Sequence, residues 1–275
     1  MKIGIIVNKR KEGAIKLAGE LSGWLKKRDH HVTDTMSAPM ESVLTGADFV
    51  ICLGGDGTIL SVAAHMKQQS IPVMGINLGR LGFLTEVKQE EVFEELNAHF
   101  IGQSMIEERL MLSSSAKSES SKHERRLVAL NDIVISREGL SRILRLEVRV
   151  SGEKLTSFAG DGVIIATPTG STAYSLSAGG SIVHPKLEGI IITPICPHAS
   201  SLRSMVVSAN EKISVRLSEV DASAKALLTA DGQENFEIDD SYTIEITRSN
   251  TPLRMIKSSK RSYFSTLREN FKFPA

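Results

Sequence analysis

Several features that mark whole classes of protein are scarce in this chain of 275 residues. Its two cysteines, Cys52 and Cys196, lie far apart and lack the spacing of metal ligands, which excludes a disulfide framework and a zinc-finger type of site. No apolar run approaches the ~18 residues that a membrane-spanning helix needs. The 33 basic and 32 acidic residues leave a net charge of +1, so we expect neither a nucleic acid nor a membrane as partner. Residues 1–8 are interrupted by charge too soon for a signal peptide, which predicts a cytoplasmic location.

The first hundred residues alternate between short apolar runs and apolar side chains at helical spacing. Short apolar runs predict strands that are buried on both faces, and a period of 3.6 residues predicts helices. The predicted strands cover residues 3–7, 49–53 and 71–76, and the predicted helices cover residues 12–28, 59–68 and 92–100. This alternation is typical of an α/β domain with a Rossmann-like parallel sheet.

The pattern changes near residue 107, and the second half of the chain favours β structure. Residues 113–123 are polar and rich in serine, which predicts an exposed loop or hairpin end. Strict alternation of apolar and polar residues predicts strands with one wet face at residues 144–150, 213–217 and 242–247. With one helix predicted at residues 262–271, the second half is expected to be a mostly antiparallel β-rich domain.

A glycine-rich segment, Gly54-Gly55-Asp56-Gly57-Thr58, follows the second predicted strand and precedes a predicted helix. Ligands of open parallel sheets bind outside the carboxyl ends of the strands. Glycines at that place let backbone N–H groups and a helix N-terminus point at an anion. A tight strand-to-helix turn without a ligand would also account for the glycines, but the position favours an anion-binding loop.

Two common phosphate-binding loops do not fit this segment. The chain contains no Gly-Lys dipeptide, which excludes a P-loop, and Leu60 occupies the third glycine position of a dinucleotide fingerprint. The carboxylate of Asp56 would repel phosphates unless it accepts the proton of an attacking hydroxyl or holds Mg²⁺. Either role is typical of a kinase. The loop resembles those of the NAD kinases, of the diacylglycerol and sphingosine lipid kinases and, more loosely, of the phosphofructokinases.

Two adjacent polar residues, Asn131 and Asp132, interrupt the apolar run at residues 130–135. Asn and Asp are disfavoured in strands, and burying them without hydrogen bonds costs roughly a few kcal/mol. A bulge or a strand end would explain them structurally. In the functional interpretation, Asn131 offers donors and acceptors to a base or ribose, and Asp132 accepts hydrogen bonds from sugar hydroxyls.

Residues 159–180 are rich in small and hydroxylated side chains and poor in charge. A strand predicted at residues 163–166 leads into this run. Small side chains let a ligand approach the backbone closely, hydroxyls can orient it, and Tyr174 offers an aromatic ring or a phenol. A Ser/Gly-rich loop without a ligand is the structural alternative, and the scarcity of ordinary turn residues favours a binding segment.

Taken together, these segments resemble the NAD kinases. Residues 159–180 resemble the signature of that family, and Asn131-Asp132 matches its Asn-Glu/Asp pair. Further family-like segments lie at residues 75–85, 192–198 and 231–233, in the family's order. The resemblance implies phosphorylation of the adenosine ribose 2′-hydroxyl of NAD by ATP to give NADP, with Mg²⁺ or another divalent cation. Some bacterial relatives also accept inorganic polyphosphate as the donor.

The resemblance also implies an organisation and a set of site residues. Residues 1–107, with residues 252–275 returning to them, would carry the glycine-rich loop, and residues 108–251 would carry much of the NAD site. A homodimer or homotetramer is expected. Asp56 would be the catalytic base, while the metal ligands stay unassigned. The implied nucleotide-binding residues are Gly54, Gly55, Asp56, Gly57, Thr58, Asn131, Asp132, Asp161, Thr172, Ala173, Tyr174, Ser175, Leu176, Ser177 and Gln233.

Two other functions remain open on the sequence. A lipid kinase would share the glycine-rich loop but would need an apolar acceptor pocket. A non-catalytic NADP-binding regulator would share the fold, although it would gain affinity by losing Asp56 from a phosphate loop. A dehydrogenase is disfavoured because the dinucleotide fingerprint fails at Leu60.

Overall fold

A computed structural model describes residues 1–66, 70–79, 81–119, 124–139, 143–199, 201–218 and 226–272. Contacts within the chain divide it into two compact units. The first consists of Met1–Glu108 and Leu253–Ala275, and the second consists of Arg109–Pro252. We refer to them as unit 1 and unit 2.

The described residues form strands, α-helices and short 3₁₀ turns. In chain order, the strands are β1 (Lys2–Val7), β2 (His31–Asp34), β3 (Phe49–Gly54), β4 (Val73–Asn77), β5 (Val87–Lys88), β6 (Ile106–Arg109), β7 (Leu112–Ser118), β8 (Glu124–Ala129), β9 (Asp132–Arg137), β10 (Leu144–Val150), β11 (Glu153–Gly160), β12 (Gly162–Ala166), β13 (Gly189–Ile195), β14 (Met205–Ser208), β15 (Ile213–Leu217), β16 (Ala226–Ala230), β17 (Glu234–Ile238), β18 (Tyr242–Arg248) and β19 (Leu253–Ile256). The α-helices are α1 (Ala14–Lys26), α2 (Met40–Leu44), α3 (Asp56–His65), α4 (Val92–Phe100), α5 (Tyr174–Ser177) and α6 (Tyr263–Phe271), and single 3₁₀ turns lie at Gln89–Glu91 and Gly170–Thr172.

Unit 1 is built on a sheet with the strand order β2-β1-β3-β4-β19-β6, with β5 also paired to β4. Strands β1, β2, β3, β4, β5 and β19 pair in parallel. The central strand β3 is buried along its whole length, as its continuous apolar run predicts. The parallel α/β sheet expected from the sequence is confirmed, although the short strand β2 and helix α2 were not predicted.

The last strand and helix of the chain belong to unit 1 by their contacts. Strand β19 pairs with β4, and the buried Lys257 ammonium forms an ion pair with Glu86. The Glu95 carboxylate on α4 is 1% exposed and accepts hydrogen bonds from the hydroxyls of Ser258 and Ser259. Because a buried carboxylate is costly without such donors, these contacts fix the chain after β19 against α4.

Unit 2 contains two six-stranded antiparallel sheets, with the orders β11-β10-β15-β18-β7-β8 and β14-β13-β12-β9-β16-β17. Alternate residues of both sheets share one apolar core. Its members include Leu146, Val215 and Ile244 from the first sheet and Ile133, Ile165 and Leu228 from the second. The antiparallel β structure expected for this half of the chain is confirmed.

The sequence predicts an exposed loop or hairpin end at residues 113–123. The loop is wrong for the first half, because Leu112–Ser118 forms strand β7 between β8 and β18, and β7 pairs with β8 as an antiparallel hairpin. Alternate side chains of β7 are buried, and two of them are the small hydroxyls of Ser114 and Ser118. The Ser118 hydroxyl lies 2.8 Å from the Ser241 hydroxyl, within hydrogen-bonding distance. Serine therefore fits this crowded face, although it hides the alternation of polarity. Residues 120–123 lie outside the described residues.

Candidate active site

The glycine-rich loop of unit 1 lies where the sequence predicts it, between β3 and α3. Helix α3 begins at Asp56, three residues before the predicted start, with Gly55 as its N-cap. An acidic residue in the first turn is favourable because it faces the positive end of the helix dipole. Gly57 is exposed, whereas Thr58 is buried. An added Cβ at Gly54 would collide with the Thr58 hydroxyl, so this turn requires a glycine.

The carboxylate of Asp56 is held by the consecutive backbone N–H groups of residues 83–85. The Phe83 N–H donates to Oδ2 at 2.8 Å, and the N–H groups of Leu84 and Thr85 donate to Oδ1 at 3.0 Å each. The Thr85 hydroxyl also donates to Oδ1, at 3.0 Å. A side chain at Gly82 would overlap the carboxylate. Loop 82–85 therefore forms a close-fitting cradle for one carboxylate.

This geometry leaves one oxygen of Asp56 better able to react than the other. A carboxylate has about four lone-pair sites, two on each oxygen. Within the described part of the chain, Oδ1 accepts three hydrogen bonds and Oδ2 accepts one. Asp56 is only partly buried, and Oδ2 has a lone pair beyond the one that accepts the Phe83 N–H. The arrangement can hold a carboxylate oxygen in a fixed position to receive a proton.

The hydroxyl of Thr58 is an orphan in the same loop. Its Oγ1 is buried and has no hydrogen-bond partner among the residues that the structure describes. Buried hydroxyls normally find a partner, since an unmade hydrogen bond costs about 1–3 kcal/mol. An oxyanion at the N-terminus of α3 would fit such a donor.

Four of the predicted site residues of unit 2 line one cavity of about 340 Å³. Asn131 lies immediately before β9, and Asp132 is its first residue, so the polar pair marks a strand start. Tyr174, at the start of α5, is 46% exposed. The residues that line the cavity are Asn131, Asp132, Val134, Ser136, Ala173, Tyr174, Thr229, Asp231 and Gly232.

Electrostatics in this cavity centre on two buried carboxyls. Asp132 is 5% exposed, and burial together with the nearby charge of Asp231 raises its pKa to about 7. Burial also raises the pKa of Asp231, against the lowering effect of its backbone hydrogen bonds. The pKa of Tyr174 is raised by burial and then by the charges of Cys196, Asp161 and Asp132. A carboxyl with a pKa this far from its usual value inside a cavity marks a candidate functional site.

Several hydroxyl groups in the run after β12 form hydrogen bonds with other groups of the protein. The Ser175 side chain is fully buried, and its hydroxyl is within hydrogen-bonding distance of Thr193 Oγ1, at 2.9 Å. The Ser171 hydroxyl donates to the Pro168 carbonyl at 2.6 Å. These bonds shape the loop and leave Ala173 and Tyr174 facing the cavity. Thr172, Ser175, Leu176 and Ser177 are not among the residues that line the cavity.

The remaining predicted residues of unit 2 lie around this cavity without lining it. Asp161 joins β11 to β12, and its Oδ1 forms an ion pair with Arg137 Nε at 2.7 Å. Its charge reaches Tyr174, since it contributes to the raised pKa of that phenol. Gln233 is exposed and ends the turn that begins with Asp231.

Asp231 was not among the predicted site residues, although it lines the cavity. It is 9% exposed, and both its oxygens accept backbone hydrogen bonds from residues 130–132. Asp231 and Gly232 both have positive φ, of 52° and 63°. The Asp-Gly pair is a known signal for such a turn, but it does not indicate a partner 100 residues earlier in the chain.

A second, larger cavity of about 740 Å³ in unit 1 does not include loop 54–58. Among its described lining residues, Glu12, Glu90 and Glu269 carry carboxylates and Lys88 carries an ammonium. Among the described residues, no group of three or more His, Cys, Asp or Glu could hold a metal ion. None of the described helices is both long and apolar enough to span a bilayer.

Comparison with known proteins gives one consistent family. Residues 29–104 match the family model of the ATP-NAD kinase N-terminal domain, and residues 130–258 match that of the ATP-NAD kinase C-terminal domain. The chain is 40% identical to an NAD kinase of Magnetococcus marinus, over 97% of this chain and 92% of that protein. It is 39% identical to an NAD kinase of Geotalea daltonii, over 99% and 98%.

Two solved structures are similar in fold. An NAD kinase from Archaeoglobus fulgidus in complex with ATP has a TM-score of 0.79 and 30% identity, over 98% of this chain and 99% of that chain. A yeast NADH kinase complexed with NADH has a TM-score of 0.88, over 99% and 88%. Its identity of 24% supports the fold alone. These relatives agree with the sequence resemblance and not with a lipid kinase or a dehydrogenase.

Proposed function

The chain belongs to the NAD kinase family and is an enzyme that phosphorylates NAD with ATP, and we propose that Asp56 is its catalytic base. In this proposal, Oδ2 of Asp56 accepts the proton of the adenosine ribose 2′-hydroxyl as that oxygen attacks the terminal phosphorus of ATP. The phosphorus–oxygen bond to ADP breaks, and NADP is formed. The observation that carries the proposal is the cradle of loop 82–85, which leaves Oδ2 with one accepted hydrogen bond in the described chain.

The loop itself supports a role in holding the triphosphate. The N-terminus of α3 at Gly55 and Asp56 supplies partial positive charge, and the orphaned Thr58 hydroxyl can donate to a phosphate oxygen. Gly57 is exposed and Gly55 is partly exposed, so a ligand can approach their backbone closely. We propose that Gly54, Gly55, Gly57 and Thr58 contact the donor phosphates in this way.

A divalent cation would be held mainly by the substrate. Mg²⁺ is commonly bound by one or two carboxylates together with substrate phosphates. In this proposal Oδ2 of Asp56 accepts the proton and Oδ1 already accepts three hydrogen bonds, so Asp56 is not assigned as a metal ligand. An ion bound by the donor phosphates would neutralise charge on the transferring phosphoryl group.

We propose that the cavity of unit 2 binds the dinucleotide. Asn131 and Asp132 would bind the adenosine end, because an amide and a carboxyl can pair with a base and with ribose hydroxyls. Ala173 and Tyr174 would pack against the ligand, and Asp161 would contact it beside Tyr174. Thr172, Ser175, Leu176 and Ser177 would act through the loop they form, with Gln233 as a further contact.

The test is NADP formation from NAD, ATP and Mg²⁺, read through an NADP-specific dehydrogenase, for the wild type and Asp56→Asn. The amide keeps the size of the side chain but is a far weaker base, so we expect kcat to fall at least ~100-fold and KM for NAD to change less than ~3-fold. Asp29→Asn is the matched control, since Asp29 is exposed and its positive φ of 59° suits asparagine. If Asp56→Asn kept more than a tenth of wild-type turnover, the base assignment would be wrong.

Three further parts of the proposal need separate measurements. Polyphosphate as donor is tested by replacing ATP in the same assay. A homodimer or homotetramer is tested by light scattering of the purified chain. A cytoplasmic location agrees with the free state of both Cys52 and Cys196 and is tested by fractionation of the source cells.

A further inference from the structure

We propose that Asp231 is a positioning residue for NAD binding, which fixes through its carboxylate the backbone turn that presents Asn131 and Asp132. This inference rests on the proposed role of Asn131 and Asp132 in holding the dinucleotide. It concerns a residue that does not itself have to touch the ligand.

The first argument is the way in which the carboxylate is used. Oδ2 of Asp231 accepts the Leu130 N–H at 2.7 Å, and Oδ1 accepts the N–H groups of Asn131 and Asp132 at 2.7 and 3.0 Å. Three successive N–H groups that converge on one carboxylate cannot belong to a regular strand ladder. They define the conformation in which the chain enters β9.

The second argument is that the contact is reciprocal. The backbone N–H of Asp231 donates to the Asp132 carbonyl at 3.0 Å, while the Asp132 N–H donates to Oδ1 of Asp231. The turn after β16 and the start of β9 are thus tied by both backbone and side chain. On the other side of the same segment, the Thr167 hydroxyl donates to the Leu130 carbonyl at 2.6 Å.

The third argument is the cost of this arrangement. Asp231 is 9% exposed and has a φ of 52°, a left-handed conformation that only a few non-glycine residues adopt. A buried carboxylate beside a second buried carboxyl is costly, and its three backbone hydrogen bonds offset only part of that cost, since burial still leaves the pKa of Asp231 raised. A buried carboxyl with a raised pKa at a cavity is typical of a functional site.

The charge of Asp231 also has a measurable consequence at its neighbour. The groups that act electrostatically with Asp132 within the described chain are Asp231, from the turn after β16, and Tyr174, from α5. Loss of the Asp231 charge removes one cause of the raised pKa of Asp132, whose first cause is burial. Asp132 would then become charged, and able to accept from ribose hydroxyls, at lower pH.

The experiment compares steady-state kinetics of the full chain with Asp231→Asn, Asp231→Gly, Asp132→Asn and the control Asp240→Asn from about pH 5.5 to about pH 8.5, a range that brackets the raised pKa of Asp132. Asparagine and glycine both tolerate the left-handed φ, so the turn can form without the carboxylate. Asp240 is exposed and follows the same hairpin.

For Asp231→Asn, we expect KM for NAD to rise about tenfold, with kcat and KM for ATP within about threefold of wild type. The midpoint in the pH profile of kcat/KM for NAD should move down by about one pH unit. Asp231→Gly should show the same shift of midpoint and a larger rise in KM. Asp240→Asn should match the wild type.

Three results would overturn the inference alone. The first is an unchanged KM for NAD with an unchanged midpoint. The second is a fall in kcat with an equal rise in both KM values and a lowered melting temperature, and the third is failure of both Asp231 variants to fold. The last two would make Asp231 a general structural residue. An Asp132→Asn variant with wild-type KM and midpoint would overturn the proposed role of the polar pair, and the inference with it. A wild type that made no NADP would instead overturn the activity.

Discussion

The two units use the same device, a carboxylate that accepts three successive backbone N–H groups, for different ends. In unit 1 the device joins Asp56 to residues 83–85, and in unit 2 it joins Asp231 to residues 130–132. Asp56 is partly exposed, lies at a helix N-terminus and has a further lone pair on Oδ2. Asp231 is buried and faces a second carboxyl, Asp132.

The difference shows how surroundings decide what a carboxylate does. Where solvent and a ligand can reach it, the N–H groups aim the carboxylate, and the free lone pair is available for chemistry. Where the carboxylate is enclosed, it fixes the positions of the N–H groups and thereby shapes the backbone. Asp56 is therefore suited to catalysis and Asp231 to positioning.

The largest effect is expected when Asp132, the second carboxyl of unit 2, is replaced. The pKa of Asp132 is raised from 3.8 to about 7, so the native state keeps a proton that the unfolded state releases between those values. The contribution of Asp132 to the free energy of unfolding of the wild type is therefore highest below about pH 4, and it falls as the pH rises towards about 7. Relative to the wild type, the free energy of unfolding of Asp132→Asn should therefore rise by about 3 kcal/mol as the pH increases from about 5 to about 8.

Urea titrations of both proteins at several pH values measure this difference. Asp240→Asn, an exposed change of the same chemistry, should track the wild type at every pH. A constant gap between Asp132→Asn and the wild type would mean that Asp132 is already ionised in the folded protein at about pH 5.

The cradle of unit 1 can be tested without changing Asp56. A Cβ at Gly82 would overlap the Asp56 carboxylate, so Gly82→Ala must displace either the carboxylate or loop 82–85. Since proton acceptance depends on placement, we expect kcat to fall about 100-fold, which is roughly 3 kcal/mol in the barrier. Gly19→Ala on α1 is the control, because its new Cβ would meet no atom within 4 Å. Turnover in Gly82→Ala above a third of the wild-type value would show that Asp56 needs no fixed cradle.

Local sequence patterns predict one half of each carboxylate cradle, whereas the other half lies in segments 75–85 and 231–233, which resemble the NAD kinases, although the sequence assigns no role to Asp231 or to residues 83–85. Residues 54–58 are recognisable because a buried strand ends there and glycines follow, and Asn131 and Asp132 stand out as polar residues in an apolar run. The partners come from distant positions: Thr85 lies 29 residues from Asp56, and Asp231 lies 101 residues from Leu130. Such pairings depend on sheet order, which no local period encodes.

Local patterns fail for a related reason in β7 and α3. Serines at alternate positions of β7 occupy a buried face, and this burial depends on the neighbouring strands rather than on the polarity of the residues themselves. Helix α3 begins at Asp56 rather than at the predicted residue 59: glycine disfavours the helix at Gly57, but the Asp56 carboxylate is stabilised at the helix N-terminus. Tertiary contacts and the helix dipole therefore override propensity at the places where the site is built.

The smallest effect is expected at Gly170, the counterpart of Gly82 in unit 2. A Cβ at Gly170 would overlap the backbone of Asn131, which Asp231 holds from its N–H side. In the proposed roles, the clash displaces Asn131 of the dinucleotide site and not the base Asp56, so Gly170→Ala should raise KM for NAD about tenfold and change kcat less than about threefold, whereas Gly82→Ala should do the reverse. The two variants, assayed side by side with Gly19→Ala, therefore separate positioning from chemistry. A fall in kcat for Gly170→Ala as large as that for Gly82→Ala would mean that both cradles serve the same step.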